Sequence, residues 1–377
     1  LVVSKHVLRW FGIYMLCNFI ATMISLLNDN AGALTYINVD FIEPILFMLI
    51  IVSIHDDDIS RLEKTIIYID TFLLIYYLLG FLSVNGLIPV TLPFIIQDYG
   101  GLLPFGLMKA DAEFIQWLYF LIPGNIILFF VKNNVDTNTV SNKQITINFV
   151  LSIIVVIIAL KTAMLLVSGW AFTLSILYYV KQKGGKRIHK NKLLLVFVIV
   201  LVIVVAWNAM GLGDVFNQFI WKKIMISFGT VEYKNVYGVI DSGGSIRIKQ
   251  IEALIDTWKR KPFLGWGVGA DAIGFIRSDV HGSYEMTYFA KLMQRGIIGL
   301  FFYFTLIIWM LRKMFVYIQM RKYEVECSFI IVALSAMLIA NGTNPYLEAF
   351  DKMIILFMPL LFINLVELNK IHKNRNN

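Results

Sequence analysis

The run LLLVFVIVLVIVVAW, residues 193–207, decides the fold class. A helix built from it has no polar face, so it cannot lie on the surface of a soluble domain. With its flanks it approaches the roughly 20 residues needed to cross about 30 Å of hydrocarbon. Similar runs recur along the whole chain. Of its 377 residues 58% are hydrophobic and only 15% charged, with a mean hydropathy of +0.73, values far from those of a soluble domain. No long segment alternates apolar and polar residues, which argues against an outer-membrane barrel. The expected fold is therefore all-α: a polytopic helical membrane protein, residues 1–377 forming one membrane domain.

Ten spans are predicted, near 9–27, 36–54, 65–87, 113–131, 145–160, 162–180, 193–212, 296–315, 325–341 and 353–368. Residues 5–33 begin basic, turn apolar and reach Ala31-Gly32-Ala33. That order has some likeness to a cleavable signal, but the apolar run is long for one and is read as the first span. Lysine and arginine in short loops set orientation. The run KQKGGKRIHKNK (181–192), the group Arg312, Lys313, Arg321 and Lys322, and the tail with Lys370, Lys373 and Arg375 are all placed in the cytoplasm. With ten spans these agree, and both termini are cytoplasmic. One large external loop, 213–295, then carries amphipathic helical sequence on the opposite face.

The net charge of +8 and pI near 9.2 do not point to nucleic acid, because the basic residues cluster beside spans. The two cysteines, Cys17 and Cys327, lie in or beside apolar runs and give neither a disulfide framework nor a metal signature.

The external loop holds the chemistry. His6, His55, His189 and His372 fall on the cytoplasmic side, and His281 alone lies outside. A histidine there is a candidate for proton transfer, with an ordinary solvated loop residue as the other reading. The stretch SGGSIRIKQIEALIDTWKRKPF (242–263) reads as a helix capped by Ser242 or Ser245 and ending before Pro262. Its stripe of Ile248, Ile251, Leu254, Ile255 and Trp258 suits the membrane interface. Arg247 is expected in the first turn, where helix N–H groups and a guanidinium together favour an anion such as a pyrophosphate; snorkelling basic residues on headgroups are the alternative. Gly265, Gly267 and Gly269 spell GxGxG without a preceding strand. They suit a tight backbone approach to a ligand or a helix rather than a dinucleotide site. Lys161 sits where two apolar runs meet almost without a loop, and is either a functional cation or a lysine snorkelling to water.

The order of these pieces resembles the O-antigen polymerase and O-antigen ligase superfamily of bacterial envelope enzymes (Wzy-type and WaaL-type). The likeness covers roughly residues 145–370. It comprises ALKTAM around Lys161, SGGSIR, KPFLGWGVG, HGSYE, RGIIGL and NGTNPYL. Two departures stand out. Many relatives carry Ser-Arg at the hairpin tip, where this chain has Leu160-Lys161, which keeps the charge and loses the bidentate fork. Ligases typically show His-Asn-x-Tyr-Leu, whereas this chain has His281-Gly282-Ser283-Tyr284-Glu285, closer to the polymerase branch.

The resemblance implies a GT-C-like fold in the bacterial inner membrane. It also implies inverting, metal-independent glycosyl transfer at the periplasmic face, without a cofactor. The donor would be a saccharide on undecaprenyl pyrophosphate. The acceptor would be a hydroxyl of another lipid-linked repeat unit, or of lipid A–core in a ligase. Membrane lipids, a chain-length regulator and a flippase are the partners it implies. His281 is the expected base and Arg247 the expected catalytic cation. Lys161, Arg260, Glu285, Tyr284 and Asn344 are expected at the pyrophosphate or sugar, Glu285 with the option of orienting the imidazole. Asn344 and Tyr346 fit a Pro-containing loop equally well. A flippase or transporter is the non-enzyme alternative, disfavoured because charges collect in one loop rather than along the spans.

Overall fold

The computed structural model describes residues 3–102, 107–131, 140–181, 233–234, 240–241, 243–277, 280–321 and 323–376. The predicted span 193–212, the basic run 182–192 with His189, Ser242 and Lys322 lie outside these residues. The chain is mostly helical and divides into two compact units, one of Leu1–Ile66 with Lys249–Asn377, the other of Ile67–Ile248. The helices are α1 Lys5–Leu27, α2 Glu43–Ser53, α3 Asp56–Val84, α4 Ile115–Val131 and α5 Asn142–Ala159. They continue with α6 Thr162–Lys181, α7 Gly243–Trp258, α8 Thr287–Gln319, α9 Glu324–Asn341 and α10 Phe350–Asn376. A short π-helical turn, Asn38–Ile42, leads into α2.

Of these, α1, α3, α5, α8 and α9 are long and apolar enough to cross a membrane. Their surfaces fit that setting. Leu16, Phe19 and Leu27 on α1, Phe72 on α3, and Phe301 and Ile308 on α8 are all exposed, an outward-facing apolar surface that water would penalise and lipid would not. The purely all-α expectation needs one correction. Two small antiparallel hairpins are present, Ile95–Leu102 with Met108–Ala112 (β1 and β2) and Tyr233–Lys234 with Ile240–Asp241 (β3 and β4). β-branched Ile95 and Ile96 start the strand β1, whose pleated surface suits such side chains.

In the second unit α4 is buried along most of its length and packs on α6 and α5. Asn148 on α5 donates to Asp70 Oδ2 at 3.0 Å and accepts from Thr71 Oγ1 at 2.7 Å, while Asn125 on α4 donates to Ser152 Oγ at 2.9 Å. Such amide and hydroxyl pairs join helices where apolar contact alone gives little preference. Residue Leu160 adopts a left-handed conformation (φ 43°, ψ 35°) that ends α5, and α6 begins two residues later.

In the first unit Ser4 caps α1, its Oγ accepting from Val7 N at 3.2 Å, and Asp56, Asp57 and Asp58 fill the favourable first turn of α3. Trp10, Tyr14 and Phe47 gather around Phe357 of α10. The feature that shapes the site is a break in α8. At Gly296 the backbone takes φ 63°, ψ −178°, open essentially to glycine alone. The interruption leaves carbonyls above it and N–H groups below it without helical partners. The chain 262–267 supplies them: Trp266 N and Gly267 N donate to Met293 O (3.0 Å) and Gln294 O (2.8 Å). Pro262 O and Phe263 O accept from Ile297 N (2.9 Å) and Ile298 N (3.2 Å). The predicted start of a span at residue 296 is thus the point where a broken helix resumes.

Candidate active site

The segment 259–286 between α7 and α8 is held within the first unit by short side chains and close backbone contacts. Asn28 and Asn30 donate to Trp266 O at 2.9 and 2.8 Å, and Ser25 Oγ donates to Val268 O. A Cβ at Gly267 (φ 91°) would fall 2.3 Å from Ser25 Cα. Gly267 and Gly269 therefore lie against α1 and the turn after it, while Gly265 lies against Gln294 and Gly296 at the break in α8. Tyr36 Oη and Gln294 Nε2 both donate to Gly282 O, at 3.0 and 2.8 Å, fixing the residue beside His281. The inner face of α7 closes the segment: Leu254 is buried with Ala270, Ala272, Tyr284, Ala290 and Met293. Gln250 Oε1 accepts from Met286 N at 2.8 Å. The stripe expected to face lipid therefore divides, Leu254 turning into the protein and Ile248 outward.

On this frame His281 Nδ1 lies 2.5 Å from Asp271 Oδ2, and Asp271 Oδ1 accepts from Gly282 N at 2.8 Å. The carboxylate can only accept, so it draws the ring proton to Nδ1 and leaves Nε2 with its lone pair. The imidazole is 45% exposed and Asp271 25%, so the ring is held from behind and open in front. Its position suits proton removal from a hydroxyl.

The other predicted residues are distributed as follows. Glu285 pairs with Arg277, and the carboxylate at the imidazole Nδ1 is Asp271. Tyr284 is buried, its oxygen accepting from Ala272 N at 2.6 Å and donating to Phe275 O at 3.2 Å. Burial pushes that phenol up to about 12, and its role is to brace the loop. Asn344 donates to Tyr346 Oη at 3.1 Å within the loop 342–349. Arg260 is exposed just past the end of α7. In the second unit, Lys161 Nζ lies 2.6 Å from Asp111 Oδ1, so its charge is matched by a carboxylate of β2. Arg247, half-buried, also belongs to the second unit. Ser245 lies inside α7 and cannot cap it, and with the helix starting at Gly243 the arginine is its fifth residue, just past the first turn.

Two residues went unread in the sequence, and a third, Arg295, was read only as part of RGIIGL. Asp271 follows the glycine motif and precedes His281 by ten residues, a signal available only to someone already pairing that histidine. Lys291 and Arg295, one helical turn apart ahead of Gly296, are the others. Lys291 Nζ lies 2.6 Å from Glu348 Oε1 and 5.2 Å over the Tyr303 ring. Arg295 reaches Asn18 Oδ1 and Asp40 Oδ1, each at 2.6 Å, while Asn18 Nδ2 donates to Asp40 O at 2.7 Å. These pairs are largely buried and tie α8 to α1, the π-turn and the 3₁₀ turn Tyr346–Glu348. Among the described residues no group of three His, Cys, Asp or Glu is placed to hold a metal ion. No family model matches the chain, and no curated protein or solved structure matches it.

Proposed function

We propose that the chain is a glycosyltransferase of the bacterial cytoplasmic membrane, ten-spanned and GT-C-like. It would lengthen a surface polysaccharide by joining lipid-linked repeat units at the external face. The observation that carries this reading is the Asp271–His281 pair, a histidine with its Nδ1 engaged by a carboxylate and its Nε2 open. In the proposed step a hydroxyl of the acceptor repeat unit attacks the anomeric carbon of the donor sugar. Its proton passes to His281 Nε2 as the new glycosidic bond forms with inversion. The bond from the anomeric carbon to the phosphate oxygen breaks, and its electron pair leaves on undecaprenyl pyrophosphate.

Asp271 does not take the proton; it keeps the ring in the reactive tautomer and stabilises the imidazolium. A base so placed contributes typically about 10²- to 10⁴-fold in rate. The leaving pyrophosphate requires cations set in advance in a poorly solvated place. Arg247 is assigned that role on the resemblance of SGGSIR alone. Lys161 is left out of it, because its charge is already matched by Asp111.

The test is a strain lacking the natural gene and carrying His281→Ala or Arg247→Ala. The expected result is surface glycan of single repeat units with normal protein level and membrane insertion. Full-length polymer from both variants removes the mechanism, absence of any surface glycan points to export, and unattached polymer points to a ligase.

A further inference from the structure

Phe263 and Leu264 are 67% and 49% exposed, large apolar side chains at the tip of the turn after α7. The turn is not loose. Pro262 O accepts from Ile297 N and from the indole N–H of Trp258 (3.0 Å), and Phe263 O accepts from Ile298 N. Lys261 Nζ is fixed 2.5 Å from Asn28 Oδ1 and 4.1 Å over the Trp266 ring. These bonds seat the two side chains directly beside the resumed part of α8. There Ile297 (50%), Ile298 (42%), Phe301 (64%) and Ile308 (61%) are exposed. Residues 297, 301 and 308 recur at helical spacing on one face of a helix long and apolar enough to cross a membrane. The exposed apolar residues of this helix and those of the turn are thus joined through the backbone bonds of Ile297 and Ile298 to Pro262 and Phe263. Exposed Lys259 and Arg260 stand just before the turn, and Trp258 and Trp266 bracket it. Basic and indole side chains are the types that settle at headgroup depth.

We propose that the turn Pro262–Leu264 is a membrane anchor, inserting Phe263 and Leu264 among acyl chains just below the headgroups and holding the segment that bears His281 at the lipid surface. The occupant is the bilayer itself. A rigid apolar tip joined to a lipid-facing stripe and edged by cations fits an anionic membrane interface. The inference rests on the membrane location alone, so its test contains no sugar transfer and stands apart from the proposed reaction.

The experiment places one cysteine at Phe263, Leu264, Ile298 or Lys259 in protein whose Cys17 and Cys327 are replaced by Ser. Each is labelled with a polarity-sensitive fluorophore and reconstituted into vesicles of phosphatidylethanolamine and phosphatidylglycerol. Phe263→Cys keeps the carbonyl that partners Ile298, and Leu264→Cys gives a second reading if the first folds poorly. The expected result is blue-shifted emission at 263 and 264, quenched by lipids carrying a nitroxide high on the acyl chain. Iodide quenching there should match position 298 within about twofold and fall roughly fivefold or more below position 259. Water-like emission with strong iodide quenching at both tip positions overturns the proposal. So does shielding from iodide and lipid nitroxide alike, which would mean that a protein surface, such as a second copy, covers the turn.

Discussion

Replacing Gly296 with Ala tests the architecture that presents the site. Its backbone lies at φ 63°, ψ −178°, a region where a side chain costs about 1–3 kcal/mol. Space is worse than conformation: a Cβ there would fall 2.1 Å from Phe263 O and 2.4 Å from Phe263 C. The turn 262–264 must then withdraw, taking acceptors from Ile297 N and Ile298 N. Each N–H left without a partner away from water costs roughly 1–3 kcal/mol. The total is about 3 kcal/mol or more, even if only part of each term is felt. Gly12→Ala is the control, because nothing lies within 4 Å of a Cβ at that position in α1; it should alter stability by about 1 kcal/mol or less. Equilibrium unfolding by SDS in mixed micelles measures both. If Gly296→Ala unfolds within about 1 kcal/mol of the unaltered protein, the break in α8 is not held by 262–267 as described.

Further outcomes follow from the same contacts. Arg295→Ala should cost about 3–5 kcal/mol in the same unfolding measurement, because it strands the nearly buried Asp40 carboxylate; Arg295→Met with Asp40→Asn should recover much of that loss. Tyr284→Phe should cost about 1–3 kcal/mol by removing the acceptor for buried Ala272 N. Its amide exchange should rise accordingly. Asp271→Asn should lower kcat about 10²- to 10⁴-fold with KM little changed, since it disturbs ring tautomer rather than substrate contact; steady-state rates on lipid-linked repeats report it. Lys161→Met should leave polymer yield within about twofold, its charge being matched by Asp111, as judged from glycan profiles on gels.

The helices were legible because long apolar runs permit little else: nine of the ten predicted spans fall on helices, five of these long and apolar enough to cross a membrane, and the tenth, 193–212, lies outside the described residues. The hairpin β1–β2 was not, since β-branched residues within a short apolar run look alike in strand and helix. At the site, His281 was singled out as the one histidine that the predicted topology places outside. Its partner was not, because Asp271 and Glu285 are both acids within ten residues of the ring. Only the folded loop shows that Arg277 takes one of them and His281 the other. The glycines were read as permitting close approach, but what Gly267 and Gly269 approach, Ser25 and Gly32, lies more than 230 residues away in sequence. Lys161 looked like a bare cation for the same reason, its partner Asp111 being 50 residues distant.

The central claim is that His281, held by Asp271, removes the proton from the attacking hydroxyl. Purified protein in vesicles, supplied with undecaprenyl-pyrophosphate-linked repeat units and nothing else, tests it by the length of glycan formed. Unaltered protein should build a ladder of repeats, and His281→Gln, folded and inserted equally well, should give about 10²-fold less or none. A ladder of undiminished rate and length from His281→Gln would contradict the account.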